Sequence, residues 1–116
     1  TYDDFATQQP LTGTVVTEDG RNLTGKIVYD LDEEYDYELL QGKKGEYEFI
    51  TTFRNIKRME PINEHRCSLE LKSGQKMTLY DAQDVNELNQ GILVFATVNA
   101  EPTYVRWEDV KSIEFK

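Results

Sequence analysis

Two acidic stretches hold most of the residues whose types and spacing could do chemistry. The first, YDLDEEYDYELLQG at 29–42, sets Asp30, Asp32, Glu33, Glu34, Asp36 and Glu38 among Tyr29, Tyr35 and Tyr37. The second, YDAQDVNELNQG at 80–91, carries Asp81, Asp84, Asn86, Glu87 and Asn89. Carboxylates at every second position, as at Asp30, Asp32, Glu34 and Asp36, could converge on calcium, a hard cation that takes oxygen ligands. The match to a helix–loop–helix calcium loop then fails, because Tyr35 stands where a glycine must make the sharp turn and Gln41 where the closing glutamate belongs. In an extended segment, Asp32, Glu34, Asp36 and Glu38 would share one solvated face, and charge on an exposed strand also deters edge-to-edge association. Tyrosines beside carboxylates can instead make a sugar- or peptide-binding face. The candidate ligand-binding residues are therefore Tyr29, Asp30, Asp32, Glu33, Tyr35, Tyr37, Asp81, Asp84, Asn86 and Glu87. No cofactor is expected, and calcium is the one ion left in question.

Catalysis is weakly signalled. Two carboxylates about 5 to 9 Å apart can work as acid and base on a glycosidic bond, yet among 22 acidic residues chance pairs are expected. Nothing in the sequence marks one of them as desolvated. His65 and Cys67 alternate in NEHRCSL and could form a base–nucleophile pair, but no third residue to orient them is evident. A linker histidine and a small half-buried cysteine is the simpler expectation. One histidine and one cysteine exclude a zinc cage and an intrachain disulfide. The seven glycines are dispersed at turns, with no phosphate loop, serine elbow or dinucleotide fingerprint. The chain is expected to be a non-enzyme, with a carboxylate-dependent hydrolase as the alternative from that class.

The balance of 13 basic against 22 acidic residues gives a net charge of -9, whose average field repels polyanions. Nucleic acid is not an expected partner; a protein segment or a glycan is. No apolar run approaches the roughly 20 residues of a membrane span, so membrane insertion is not expected. The opening TYDDFATQQP shows no leader, and the absence of an initial methionine fits a processed start.

These residues must be positioned by strands. Runs rich in Val, Ile, Thr, Tyr and Phe recur between Gly, Asn and Asp, and helical periodicity is nearly absent. GTVVTEDGRNLTGKIVYD and CSLELKSGQKMTLYD each read as a hairpin, with Asp-Gly and Ser-Gly at the turns. An offset of 54 lays residues 13–62 over 67–116 with seven identities in fifty columns, among them Gly20 on Gly74, Asp30 on Asp84, Glu33 on Glu87 and Leu39 on Leu93. The register degrades between Lys26 and Tyr29, which predicts a local shift. A tight helical turn, FRNIKR or WEDVKS, precedes the last strand of each half, and QDVNELNQG predicts a further turn ended by Gly91.

The chain is therefore expected to be all-β, with a first repeat over 1–62 and a second over 63–116. The expected core is Val15, Leu23, Ile27, Ile50, Ile56, Met59, Leu69, Leu71, Met77, Leu93, Val105, Val110 and Ile113, with Phe49, Phe53, Tyr104, Trp107 and Phe115 as its aromatics. Five short strands with a helical turn before the last resemble the small barrels of the SH3-like and Sm-like group, here two tandem repeats packed as one unit. The paired half-repeats with the Asp84-Val85-Asn86 loop also resemble bacterial, often exported proteins of unknown function. That resemblance implies an envelope setting, periplasmic or secreted, and no established activity. The acidic, tyrosine-bearing loops themselves favour a non-catalytic binding or accessory module, with a calcium-stabilised structural domain as the alternative.

Overall fold

Branched and ring side chains pack well on a pleated, half-buried surface, and the runs that contain them become strands. A computed structural model describes residues 10–29, 39–44, 46–63, 65–80, 89–96 and 101–116. Among the described residues there are ten strands: β1 (Thr12–Thr17), β2 (Asn22–Tyr29), β3 (Leu39–Lys44), β4 (Tyr47–Thr52), β5 (Ile56–Pro61), β6 (Arg66–Leu71), β7 (Lys76–Tyr80), β8 (Ile92–Phe95), β9 (Thr103–Val105) and β10 (Val110–Phe115). The protein is all-β. Its strands form one antiparallel sheet that stays open, in the order β4-β3-β7-β6-β5-β10-β1-β2-β8-β9. Among the described residues no helix is long and apolar enough to cross a membrane.

Both hairpins turn in the same way. Gly20 N–H donates to Thr17 O at 3.0 Å and Thr17 N–H to Arg21 O at 2.9 Å, while Gly74 and Leu71 repeat the two bonds at 2.9 Å each. The third loop residue must take positive φ, and glycine supplies it at 90° in Gly20 and 93° in Gly74. Short 3-10 turns, Phe53–Asn55 and Trp107–Asp109, lead into β5 and β10 and bury their first residues.

The offset of 54 carries β1 onto β6, one 3-10 turn onto the other, and β5 onto β10. Pairing follows it too, since Val15 opposite Ile113 has its counterpart in Leu69 opposite Met59. The hairpins β1–β2 and β6–β7, however, do not dock on strands of their own halves. β2 pairs with β8 and β7 with β3, so the hairpin in each run of five neighbouring strands comes from one half and the other three strands come from the other. Backbone bonds mark the exchange: Glu18 N–H reaches Asp109 O and Lys72 N–H reaches Asn55 O, both at 2.8 Å. Residues 30–38 and 81–91 therefore join one five-strand run to the other.

The expected local shift has a definite size. Lys26 pairs with Phe95, whereas Tyr80, its counterpart at 54, pairs with Lys43, so β3 and β8 correspond at an offset of 52. Leu40 thus matches Ile92, both fully buried, and the equivalence of Leu39 with Leu93 is lost.

One core cluster includes residues from both halves. Of the residues expected there, Val15, Ile27, Ile56, Met59, Leu69, Met77, Val105, Val110 and Ile113 are buried, while Leu23 and Leu71 pack against the cluster half-buried. Ile50 is not in it, being 47% exposed. Phe49 and Ile50 are adjacent and cannot both point inward, and pairing with β3 turns Phe49 in alongside Leu40 and Gly42. The same parity leaves Leu93 half-buried between Ile92 and Val94, and Tyr104 51% exposed beside Val105. Leu11, Tyr29, Leu40, Cys67, Leu79 and Ile92 are further core members.

Candidate functional site

Of the ten residues the sequence nominates, Tyr29 alone is described. It is fully buried rather than exposed to a ligand. Its ring lies 5.1 Å from that of Phe53 and 5.8 Å, edge-on, from that of Trp107, so it bridges the aromatic residues of the two 3-10 turns. As the last residue of β2, it is held in the core by the pairing with Ile92. Asp30, Asp32, Glu33, Tyr35, Tyr37, Asp81, Asp84, Asn86 and Glu87 lie outside the described residues, and with them the predicted helical turn before Gly91. Among the described residues no group of three or more His, Cys, Asp or Glu side chains could hold a metal ion.

Cys67 and His65 do not form a reactive pair. Strand β6 points Cys67 into the core, where the loss of water pushes its thiol up to about 12, while His65 is exposed in the turn before it. A thiol held protonated in this way is a packing group.

What the fold does build is a cleft of about 630 Å³, within the size range of small-ligand sites. Four turns meet around it: the β1–β2 turn with Glu18, the β5–β6 turn with Pro61, Ile62 and Asn63, the segment before β8 with Asn89 and Gln90, and the β9–β10 corner with Tyr104, Arg106, Trp107 and Glu108. Asn89 and Gln90 belong to the end of the second acidic stretch. Asn89 is buried, and its Oδ1 accepts from Gly91 N–H at 2.8 Å. Gly91 has φ 101°, and a Cβ there would come within 2.7 Å of the Tyr104 ring, so only glycine lets Tyr104 lie over this loop. The Tyr104 hydroxyl donates to Gln90 O at 2.7 Å. Its half-exposed ring is thereby fixed as one wall.

The arginine at the cleft is held by acids on its own turn. Arg106 lies 3.0 Å from Glu108 and donates from Nε to Asp109 at 2.9 Å, and the Asp109 bond, followed by the charges of Asp109 and Glu108, raises its pKa further. Trp107, 5% exposed, forms part of the lining, and its indole N–H is buried with no acceptor among the described residues. A second cleft, about 280 Å³, contains Phe53, Arg54, Lys72, Phe115 and Lys116. These are the counterparts at 54 of Trp107, Glu108, Glu18, Pro61 and Ile62, so the fold makes the same hollow twice and the sequence gives the copies opposite charge.

The cleft residues escaped the sequence reading for a physical reason. Turns far apart in the chain come together only through the exchanged pairing, and Tyr104, expected in the core on its apolar character, is half-exposed at the cleft, while Trp107 is in the core as expected and also lines the cleft. The presence of Asn89 and Gln90 in the second acidic stretch is the one signal that pointed there. Comparison with known proteins finds no matching family model, no matching curated protein and no matching solved structure.

Proposed function

We propose that the chain is a non-catalytic binding module that takes a neutral glycan in the larger cleft. The observation that carries this reading is the Tyr104 ring, half-exposed and pinned through its hydroxyl to Gln90 O, facing a hollow rimmed by Asn63, Gln90, Glu18 and Glu108. A fixed ring offers an apolar face for a sugar ring to stack on. Planar amides and carboxylates supply acceptors and donors for its hydroxyls. Arg106, already engaged by two carboxylates, adds no free positive field for an anionic ligand, and the net charge disfavours one.

In the same proposal, each five-strand run is a small barrel-like unit of the SH3-like or Sm-like kind, preserved from a duplicated ancestor that exchanged its hairpins. Support comes from the strand bounds, registers and hairpin bonds that recur at 54 residues. A periplasmic or secreted setting belongs to this proposal through the resemblance of the half-repeats.

Trp107 is the chain's single tryptophan and lines the cleft, so its emission reports occupancy. Titration with neutral oligosaccharides should change that emission saturably, and Tyr104→Ala, at an exposed position, should abolish the change without lowering the melting temperature by more than a few degrees. If extended peptides give the saturable change and oligosaccharides do not, the ligand is a protein segment and the glycan reading is wrong.

A further inference from the structure

An open sheet has two edges, and here they differ. One edge is β9, three residues long and preceded by Pro102. Such an edge offers little to pair with. At the other edge, β4 spans six residues, Tyr-Glu-Phe-Ile-Thr-Thr, with no proline, lysine or arginine. Among the described residues no strand pairs with its outer side. Tyr47 is 78% exposed there, and Ile50 and Leu39 are each 47% exposed. Ile50 and Leu39 share the outer face of the β3–β4 hairpin. The edge therefore combines unpaired backbone groups with exposed apolar and β-prone side chains, the combination that templates strand addition.

We infer that β4 is a self-association surface, on which β4 of a second copy of this chain adds antiparallel about a two-fold axis at Ile50. The local charge selects this occupant. The chain as a whole carries -9 and should repel its own copies. The hairpin is the exception, since Lys43 and Lys44 offset Glu46 and Glu48, and Lys43 stands opposite Glu48 within it. A two-fold axis at Ile50 keeps inner faces with inner faces. It sets Ile50 against Ile50 of the second copy, Glu48 against Thr52 and Phe49 against Thr51, and runs Glu46 toward Arg54 of the second copy. No acid meets an acid. Aliphatic and aromatic-to-branched pairs are those that stabilise neighbouring strands.

The full chain tests this by light scattering coupled to gel filtration, from micromolar to millimolar concentration. The expected result is a concentration-dependent dimer that Ile50→Lys weakens by at least about tenfold, because like charges then face each other across the axis. Ile50 is half-exposed, so the variant should keep the wild-type melting temperature of the monomer. Ile50→Cys provides a readout of register. It should oxidise to a covalent dimer far faster than Thr24→Cys, on the exposed side of β2, while buried Cys67 stays silent. A wild-type chain that remains monomeric at millimolar concentration overturns the inference. So does a dimer that Ile50→Lys leaves intact, or equal oxidation of the two cysteine variants. The glycan titration reads a different surface, and its outcome does not decide this one.

Discussion

Replacing Tyr29 by alanine should destabilise the whole chain at once. The side chain is fully buried and contacts Phe53 from one half and Trp107 from the other, at ring separations of 5.1 and 5.8 Å. Removing a buried aromatic side chain costs about 3 to 5 kcal/mol through lost burial and the cavity left behind. Two ring pairs, at about 0.5 to 1.5 kcal/mol each, place the loss toward the upper end of that range. For a chain of this size the melting temperature should fall by roughly 10 to 20 °C. Urea unfolding followed by far-ultraviolet dichroism and by Trp107 emission gives the free energy directly, because Trp107 is the single tryptophan and touches the altered site. With strands exchanged between halves, the two signals should shift together in one transition, in the wild type and in the variant. A loss below about 1 kcal/mol would refute the burial argument. Two separate transitions, with Trp107 following one of them, would refute the claim that the halves share a core.

Other perturbations follow from the same structure. Gly25 takes φ 155°, and a Cβ there would overlap Phe95 O, so Gly25→Ala should force β2 from β8 and cost well over the roughly 1 kcal/mol expected for Gly20→Ala, whose added methyl meets nothing within 4 Å; paired melting curves decide. Ile56→Asp or Val110→Asp, each burying a charge in the shared cluster, should abolish the folded dichroism of the entire chain and not of one half. Cys67 keeps its proton in the folded state up to about 12 and releases it earlier when unfolded, so between the ordinary thiol value and 12 unfolding gives off a proton and raising pH favours it. Stability should accordingly fall with pH over that window by more in the wild type than in Cys67→Ala, as urea midpoints at stepped pH will show. Asp19 is the opposite case: the Thr17 hydroxyl that donates to it, and then Arg21, hold its carboxyl below the ordinary value, so the turn's contribution is present at neutral pH and is lost as pH falls through that lowered value, a loss Asp19→Asn should not show.

Much of the fold was legible in the chain because its signals are local. Asp-Gly and Ser-Gly require a hairpin wherever they sit between β-prone runs, Gly20 and Gly74 take the same positive φ, and the two 3-10 turns stand where a common spacing puts them. Parity was less legible. Where two apolar residues are adjacent, as in Phe49-Ile50 or through Ile92-Leu93-Val94-Phe95, alternation has two solutions, and the neighbouring strand decides which one is buried. Hence Ile50 and Tyr104, expected inside, are on the surface, while Tyr29, expected beside a ligand, bridges the core.

The sequence by itself determined that the protein is all-β and strongly acidic, that hairpin and turn signals recur at an offset of 54, and that one histidine and one cysteine make no zinc cage. Tertiary structure alone decided which hairpin docks on which partner strands. Because the two halves are alike, β2 finds in β3 or β8, and β7 in β8 or β3, edges of similar pattern, and no local preference separates them. The choice falls to long-range packing around Tyr29, Phe53 and Trp107, and to a crossover whose length differs by two residues between the copies. That choice turns the acidic stretches into the links between the two strand runs and gathers four distant turns into the cleft.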